Sequence, residues 1–424
     1  MSTTSQPDAG RLLNRNFLLL WQGQLVSQLG NQAFAVAMMY WVMQQSDSAT
    51  LMGLLMMTSM LPGVLLGPIA GAIVDRHSRK HIIVAADALR GLAVLAFGAI
   101  LLTVTDAPAR TMTLLFLVVL FNGVVGAAFQ PAVSAAIPDL VPVDRVAAAN
   151  SMSQFSAQTA VLFGQAVGGL LYRHFGAPLL FILDGLSYLF SAISESFITL
   201  PHSRCDKPES LRARFNDYRN DAIAGVKYVW SRRGMRTLLV VAAGLNFLAM
   251  PVLVLLPFFV VGQLLQGSEW YGFLLAGMGA GSLIAYFVTG LSGLLPAAAA
   301  PAVGTAMLSV ATIIGSLAFV DTPLVALLLF ILLGTATGVI NILALTRFQL
   351  GSTKEMRGRV MALVYTLSGA MSPLGMAMGG FLGDLFDKNV SLIYFGCSVT
   401  MLAIAILALS SPSLRQFLAR DRRV

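Results

Sequence analysis

The stretch Gly67-Pro-Ile-Ala-Gly-Ala-Ile-Val-Asp-Arg-His-Ser-Arg-Lys80 decides the fold of this chain. Its apolar and glycine residues end abruptly in one acid and three bases, Asp75, Arg76, Arg79 and Lys80. Apolar runs lie on either side, at about 51–74 and 81–104. Each is long enough to cross a bilayer, because a membrane-spanning helix needs about 20 apolar residues. The stretch therefore predicts two membrane-spanning helices joined by a very short, charged turn.

The rest of the chain repeats this pattern. Of its 424 residues, 57% are hydrophobic and 11% are charged, whereas a soluble globular protein carries about 25% charged residues. The mean hydropathy is +0.79. We therefore predict an all-α protein that lies in a lipid bilayer with twelve transmembrane helices, near 17–43, 51–74, 81–104, 111–137, 146–172, 176–200, 238–262, 270–293, 298–320, 323–346, 359–386 and 390–411.

The basic residues are concentrated in alternating loops. Most of the 27 lysines and arginines lie near the two termini, in the turn at 75–80 and in the polar gap at about 201–237. Only Arg110, Arg173 and Lys388 fall in loops on the other side. Loops rich in Lys and Arg face the cytoplasm, so both termini are expected there. The same distribution explains the net charge of +8, and nucleic acid is not expected as a partner.

The chain contains two copies of one unit. When residue numbers are shifted by about half the chain length, glycines fall on glycines: Gly164, Gly168 and Gly169 match Gly375, Gly379 and Gly380. Each copy would hold six spans in the same orientation, with a site between the copies at mid-depth. We predict two pseudo-symmetric six-helix bundles, at 1–200 and at 238–424 with a basic tail. A cytoplasmic linker at 201–237 is predicted to contain an amphipathic helix.

No motif for catalysis or cofactor binding stands out. Cys205 and Cys397 lie in different environments, so neither a disulfide nor a metal site is expected. The triplet Gly277-x-Gly279-x-Gly281 lies in an apolar run and lacks the strand–turn–helix setting of a dinucleotide loop. A phosphate-binding loop for ATP is missing as well. We therefore predict that the chain is not an enzyme and holds no cofactor and no metal.

The charged turn also carries a family signature. Residues Gly71-x-x-x-Asp75-Arg76-x-x-Arg79-Lys80 resemble the signature loop of the major facilitator superfamily, and the two sets of six spans agree with that family over nearly the whole chain. Three further stretches are similar to the branch of macrolide efflux proteins and the enterobactin exporter: Pro131–Val141, Ala149–Ser151 and Arg357–Val360. The resemblance implies a monomeric transporter of the bacterial inner membrane that exports small molecules by alternating access.

The charged turn is predicted to act as a gate. One helix face before it carries glycine at every fourth position, at Gly63, Gly67 and Gly71. Another helix can approach closely on a face without side chains. Asp75 is expected to pair with Arg76 or Arg79, or with the positive end of a neighbouring helix. In the family this acid helps to hold the cytoplasmic side shut, and the alternative is a static loop anchored by its charges.

Four ionisable side chains inside the spans are candidates for proton coupling: Asp87, Arg90, Asp184 and Glu195. A charge at mid-membrane costs about 2.5–3.5 kcal/mol, so each needs a partner, water or a function. Asp87 and Arg90 are three residues apart and are expected to form an ion pair. Asp184 has no base near it in sequence and is predicted to carry the coupling proton, with a buried hydrogen bond as the alternative. Glu195 is expected to reach water at the cytoplasmic end.

Uncharged polar side chains in the spans predict a substrate cavity. The candidates are Gln24, Gln28, Asn31, Asn122, Gln154, Gln158, Asn246 and Asn341. Amide groups suit a large, amphipathic, hydrogen-bonding substrate. The alternative is hydrogen bonding between helices, at about 0.6 kcal/mol for each bond. Asn122 stands four residues before Gly126, where drug antiporters of the superfamily often have an arginine, and this difference weakens the prediction of proton coupling.

Together these features predict a secondary active exporter of a drug-like or siderophore-like small molecule, with proton antiport as the expected coupling. Two alternatives stay open. One is an uptake transporter of the same fold, and the other is a non-transporting membrane sensor or scaffold. The polar side chains inside the spans favour transport, whereas the direction of transport follows from the resemblance alone.

Overall fold

The computed structural model describes residues 12–74, 77–104, 107–199, 211–292, 296–353 and 355–419. Regular secondary structure in these residues is helical throughout, with a 3-10 turn at Val143–Arg145 and a π-helical turn at Phe259–Gln263. The α-helices are α1 (Arg15–Ser46), α2 (Ala49–Val74), α3 (Arg79–Thr103), α4 (Pro108–Leu140), α5 (Val146–Ser196), α6 (Leu211–Trp230), α7 (Arg233–Val254), α8 (Leu256–Phe258), α9 (Ser268–Ser292), α10 (Pro296–Leu317), α11 (Pro323–Gly351), α12 (Arg357–Leu385), α13 (Val390–Ser410) and α14 (Pro412–Ala419).

α5 is 51 residues long and contains two membrane spans. At Gly176 the backbone has a φ of 70° and a ψ of −179°, a conformation that glycine adopts without strain because it has no Cβ. Pro178 follows and has no backbone N–H to donate, so the regular hydrogen-bond ladder is interrupted at the same place. The kink at Gly176 therefore separates the fifth span from the sixth.

Twelve spans follow from the helices. Ten helical segments in the described parts of the chain are long and apolar enough to cross a membrane. The segment containing α5 is one of the ten and crosses twice. α1 has 32 residues, more than the roughly 20 that a crossing needs, although several polar side chains lower its mean hydropathy. The prediction of an all-α membrane protein with twelve transmembrane helices is confirmed, with six spans before α6 and six after it.

Contacts within the chain divide it into two compact units. One comprises Met1–Gln45 and Thr58–Phe215, and the other comprises Ser46–Met57 and Asn216–Val424. The first turns of α2 thus belong to the second unit, and the rest of α2 belongs to the first. The predicted domains at 1–200 and 238–424, with the linker at 201–237, stay a prediction.

In the first unit α3 packs along the second half of α5. Their backbones approach closely at two glycines, since a Cβ added at Gly185 would lie 3.0 Å from the carbonyl oxygen of Gly91 and 2.5 Å from Leu95 Cγ. Close approach between helices in a membrane depends on such small residues. The packing places the ionisable residues of α3 beside those of α5.

In the second unit α9 packs on α11, α7 on α12, and α10 on α13. The helix of the linker region is α6, and its second half contacts the turn between α11 and α12. The hydroxyl of Tyr228 accepts a hydrogen bond from the backbone N–H of Thr353 at 3.0 Å. Asp221 forms a 2.8 Å ion pair with Arg359. Placement of this helix on the cytoplasmic surface stays a prediction.

Candidate functional site

A cluster of buried ionisable side chains lies where α1, α3 and the second half of α5 meet. Asp87 and Arg90 come from α3, and Asp184 and Glu195 come from α5. All four are buried, and Asp87 and Glu195 have no exposed surface. The sequence predicted Asp87 and Arg90 as a pair and Asp184 and Glu195 as separate candidates. The fold brings all four together into one site with three carboxylic acids and one guanidinium.

Arg90 is held on several sides. Its guanidinium forms an ion pair with Asp87, as the three-residue spacing predicted. The Nε atom donates a 3.3 Å hydrogen bond to the carbonyl oxygen of Ala86. The guanidinium carbon also lies 4.1 Å from the ring centre of Phe129 and 4.6 Å from that of Tyr188. Cation–π contacts of this kind favour a cation in a dry environment, so Arg90 has a fixed position.

Asp184 lies deep in α5 and packs against the backbone of α1. Its Oδ1 lies 3.5 Å from the hydroxyl of Ser187, and its Oδ2 is buried and makes no hydrogen bond to a described residue. A Cβ added at Gly30 of α1 would lie 2.9 Å from Asp184 Oδ1 and closer still to the hydroxyl of Ser187, so a side chain there would displace both groups. The nearest charges belong to Arg90 and Asp87. Asp184 therefore has a base near it in space, although none is near in sequence.

Glu195 does not reach water, and the expectation that it would is wrong. The second half of α5 packs so closely on α1 and α3 that the side chain is fully buried one residue before the helix ends. Its Oε1 accepts a 2.9 Å hydrogen bond from Nε2 of Gln24. Its Oε2 is buried without a hydrogen-bond partner among the described residues. Asp87 is close enough to interact with it electrostatically.

A polar cavity of about 220 Å³, open on one side, lies next to the cluster within the first unit. It is enclosed by the first half of α1, the last turns of α4 and the start of α5. Its lining is uncharged and mixes amides, hydroxyls and aromatic rings. The lining residues are Phe17, Leu20, Trp21, Gln24, Gln28, Gln130, Val133, Ser134, Ile137, Asn150, Ser153, Gln154, Ser156 and Ala157.

Gln24 belongs both to the cavity and to the cluster. Its side chain lines the cavity, and its Nε2 donates the hydrogen bond to Glu195. Gln28, one turn further along α1, also lines the cavity, and its Oε1 is buried with no hydrogen-bond partner among the described residues. Trp21 has its own partner, since its Nε1 donates a 2.6 Å hydrogen bond to the hydroxyl of Ser156. Of these two neighbouring amides, Gln24 donates a hydrogen bond to an acid of the cluster, and no such bond from Gln28 is present among the described residues.

Comparison with known protein families decides the class. The profile of the Major Facilitator Superfamily matches residues 20–376, which is most of the chain. The chain belongs to the major facilitator superfamily. It is therefore a multi-pass membrane transporter of small molecules, and not an enzyme. The family assignment made from the loop at 71–80 is confirmed.

Relatives within the major facilitator superfamily carry the names of efflux pumps. The chain is 24% identical over 399 residues to "Macrolide efflux protein A" of Streptococcus pyogenes, which covers 92% of this chain and 94% of the relative. It is also 24% identical over 413 residues to "Multidrug efflux pump Tap" of Mycobacterium tuberculosis, with 94% of each chain covered. This transporter thus has efflux-pump homologues along nearly its whole length.

Solved structures of superfamily transporters share the fold. A mutant of the nucleoside transporter NupG matches with a TM-score of 0.75 at 12% identity, over 93% of this chain and 100% of that one. A bacterial homologue of the lysosomal transporter Spinster, in an inward-facing and occupied conformation, matches with a TM-score of 0.70 at 15% identity, over 95% of this chain and 96% of that one. At these identities the likeness concerns the fold alone.

The polar residues predicted for the cavity of this superfamily transporter divide into three groups. Gln24, Gln28 and Gln154 line the cavity of the first unit, and the sequence reasoning missed Trp21, Gln130, Asn150 and Ser153. Asn31, Asn122 and Gln158 belong to the first unit but do not line it. Asn246 and Asn341 belong to the second unit. Gln130 and Asn150 follow the same rule as the predicted amides, a polar side chain in or beside a span, and that rule alone would have found them.

The structure describes some of the residues of the predicted gate of this superfamily transporter and not others. Asp75 and Arg76 lie outside the described residues. Arg79 forms an ion pair with Asp139 of α4 and donates a 2.8 Å hydrogen bond to the carbonyl oxygen of Ala135. Lys80 is half-buried at the start of α3. The role of this turn, including Gly71, stays a prediction.

The glycine face of α2 is open. No described residue places a heavy atom within 4 Å of a Cβ added at Gly63, Gly67 or Gly71. The close approach of another helix that this face permits therefore stays a prediction.

The start of α2, by contrast, is held by an acid that the sequence reasoning missed. Within the second unit, Asp384 at the end of α12 accepts hydrogen bonds from the backbone N–H groups of Ala49 at 2.8 Å and Thr50 at 3.0 Å, and from the hydroxyl of Ser48 at 2.7 Å. The first N–H groups of a helix have no partner inside the helix and carry partial positive charge. A carboxylate therefore suits this position. Nearby, Lys388 forms an ion pair with Asp47.

The arginine missing at Asn122 has a counterpart from another helix. A Cβ added at Gly126 of α4 would lie 3.9 Å from Nη1 of Arg90. The guanidinium thus reaches the α4 glycine from α3 rather than from the preceding turn of α4. A base therefore lies beside Gly126, although this chain lacks the arginine that drug antiporters often have four residues before that glycine.

Proposed function

We propose that this transporter exports an uncharged or amphipathic, drug-like or siderophore-like molecule by alternating access, in exchange for protons. Such a protein would act as a monomer in the bacterial inner membrane, with both termini in the cytoplasm. One observation carries the proposal, namely the hydrogen bond from Gln24 to Glu195. It joins the polar cavity to the cluster of buried acids.

The charges of the cluster support a role for protons. Arg90 compensates one of the three carboxylates, and its partner is Asp87. Each further charge in the membrane interior costs about 2.5–3.5 kcal/mol or more. Holding a proton removes that cost, so the lowest-energy form of the cluster has neutral carboxyl groups on Asp184 and Glu195. Acids that are neutral in one state and exposed to water in another carry protons across the membrane.

The cavity supports an uncharged or amphipathic cargo. Its lining has no Asp, Glu, Lys or Arg side chain, and it offers amides and hydroxyls beside Phe17 and Trp21. A permanently charged cargo would lose its hydration there without gaining a partner, which is unfavourable. A molecule with a hydrogen-bonding face and an apolar face would satisfy the amide of Gln28 and pack on the aromatic rings. Drug-like molecules and siderophores often combine such faces.

The two ends of α2 support alternating access. The start of the helix is held by Asp384, whereas no described residue places a heavy atom within 4 Å of a Cβ added on the glycine face towards its other end. A helix that forms contacts at one end while it loses contacts at the other is a suitable element for a two-state transporter. The two states of such a transporter must differ by only a few kcal/mol. In this proposal the glycine face packs when the start of α2 is released.

Export, rather than uptake, is proposed because the homologues over nearly the full length are named efflux proteins. The test is transport by cells and by proteoliposomes of a panel of macrolides, dyes and siderophores, with and without a protonophore. We expect efflux that the protonophore abolishes. Efflux that ignores the protonophore would contradict proton coupling, accumulation would indicate an uptake transporter, and the absence of any movement across the panel would favour a sensor or scaffold.

A further inference from the structure

The second half of α6 carries an exposed row of large apolar side chains. Ile223, Val226 and Trp230 are 54%, 40% and 49% exposed. They follow one another at intervals of three and four residues, which places them on one face of the helix. We call this row the apolar stripe. A contiguous apolar surface of this kind marks a place where a protein meets a partner or a membrane.

The helix that carries the stripe lies at the ends of two membrane spans. A Cβ added at Gly225 would lie 3.0 Å from the carbonyl oxygen of Arg359, in the first turn of α12. The hydroxyl of Tyr228 accepts its hydrogen bond from Thr353, two residues after α11 ends. Both α11 and α12 are long and apolar enough to cross a membrane. α6 therefore lies near the level at which these spans reach the membrane surface.

The stripe does not face α12. At about 100° of rotation per residue, Val226, Trp230 and Ile223 lie about 100°, 140° and 160° around the helix from Gly225. Gly225 marks the side that packs on α12. The stripe is thus turned away from that side by about a third of a turn, which leaves it open to the surroundings of the protein.

Basic residues accompany the stripe. Arg219 and Lys227 of α6 are exposed, and so is Arg233 at the start of α7. In the sequence from 219 to 233 the single acid is Asp221, and its carboxylate is paired with Arg359. The surface beside the stripe is therefore positively charged.

We propose that the apolar stripe docks on the surface of the bilayer and that the bases beside it select anionic phospholipid headgroups. A helix with an apolar row, a tryptophan and several bases has the composition of helices that lie in the membrane interface. Tryptophan favours the headgroup level, and bases near an anionic membrane surface are attracted to it. Lipid is favoured over a protein partner because the ends of α11 and α12 already hold α6 near the membrane. The inference needs neither cargo nor protons, so it goes beyond the proposed transport function.

Site-directed spin labelling of the full-length protein tests the docking. Ile223→Cys and Val226→Cys place a nitroxide on the stripe, in a background with Cys205 and Cys397 replaced by serine. Ala224→Cys is the matched control, because it lies about 100° or more around the helix from every residue of the stripe. The measurement is the ratio of accessibility to oxygen, which dissolves in the membrane, and to a water-soluble nickel chelate. The protein is held in nanodiscs of phosphatidylcholine, with or without phosphatidylglycerol.

We expect a higher ratio of oxygen to nickel accessibility at the two stripe positions than at Ala224→Cys, and a further rise on the stripe when phosphatidylglycerol is added. Lys227→Gln should increase the amount of phosphatidylglycerol needed for half of this rise by about fivefold, because one base near an anionic surface contributes about that factor to binding. Lys388→Gln is the control for charge, since Lys388 follows the other end of α12, and it should leave the amount unchanged.

Three results would overturn the proposal. A stripe with the same ratio as Ala224→Cys would face water. A stripe that neither reagent reaches would be covered by protein. Equal ratios in the two kinds of nanodisc would show that the charge of the lipid is not recognised. Melting temperatures check that the labelled variants are folded, and the two stripe positions serve as independent tests if one of them is not. Transport that ignores the proton gradient would leave all of these measurements unaffected.

Discussion

Gln24 donates a 2.9 Å hydrogen bond to Glu195, although the two residues are 171 positions apart in the chain. This bond is the contact between the polar cavity and the buried acids. In the proposed function, a cargo molecule that hydrogen-bonds to Gln24 would compete with Glu195 for the same amide. Loss of the bond would leave Glu195 with less stabilisation of its charged form, so cargo binding and proton binding would influence one another through a single side chain.

The pair Gln24 and Gln28 offers a direct test of this coupling. Both residues line the cavity, but only Gln24 bonds to the acid cluster. We expect Gln24→Leu to reduce cargo-driven proton movement by about tenfold or more, because the carboxylate that forms when Glu195 releases its proton would lose a hydrogen bond worth about 1.5–3 kcal/mol. Gln28→Leu should weaken cargo binding and leave the ratio of protons to cargo unchanged. Proton movement is measured with a pH-sensitive dye inside proteoliposomes, and equal effects of the two variants would refute the coupling role.

Asp184 is the acid whose loss is expected to stop transport without affecting binding. Asp184→Asn keeps the shape of the side chain and the contact with Gly30 but removes the exchangeable proton. Gradient-driven efflux should fall to the background level, while equilibrium binding of the cargo, measured by tryptophan fluorescence or calorimetry, should change by less than a factor of about two, since the site does not line the cavity. Asp144→Asn is the control, because Asp144 is exposed at the start of α5. Full efflux by Asp184→Asn would remove Asp184 from the mechanism.

The fold could be predicted from the sequence because its main determinants are local. A membrane span is a continuous apolar run, and no water is present to satisfy the backbone, so each run must become a helix. The ion pair of Asp87 with Arg90 is equally local, since a spacing of three residues places both on one face of a helix. The kink at Gly176 was visible as the boundary between two predicted spans, even though a single helix covers both.

The candidate site was predicted only in part, because its contacts join distant parts of the chain. The burial of Glu195 depends on the packing of α1 and α3 against the last turns of α5, and hydropathy along one helix carries no information about that packing. Asp384 was missed for a similar reason. It lies at the end of an apolar run, where an acid is ordinary, and its partner Ala49 is 335 positions away. A single sequence gives no signal for such a pair.

Arg90 is expected to be the residue on which the stability of the cluster depends. Removing one partner of a buried ion pair leaves an uncompensated charge and destabilises a protein by about 3–5 kcal/mol. Arg90→Leu should therefore lower the melting temperature of the detergent-solubilised protein strongly. The double variant Asp87→Asn with Arg90→Leu should recover part of the loss, because no unpaired charge remains at Asp87. Additive effects of the two substitutions would show that the pair does not interact energetically.

Asp384 and Lys388 lie close together at the end of α12, but they are expected to differ in their effects. Asp384 accepts hydrogen bonds from two backbone N–H groups at the start of α2, and loss of such a helix cap costs about 0.5–2 kcal/mol. Lys388 pairs with an Asp47 side chain that is 73% exposed, and exposed ion pairs contribute about 0–1 kcal/mol. Asp384→Ala should therefore release the start of α2, whereas Lys388→Ala should have little effect.

The release is measured by the rate of thiol labelling at Thr50→Cys in a background with Cys205 and Cys397 replaced by serine. Asp384→Ala should raise the labelling rate, and Asp384→Asn should raise it less, because its amide oxygen still accepts one of the two hydrogen bonds. In the same background Lys388→Ala should label at the parent rate. If the start of α2 is released in one transport state, addition of cargo should change the labelling rate in the parent protein but not in Asp384→Ala. A parent rate that cargo does not change would mean that this contact persists throughout the transport cycle.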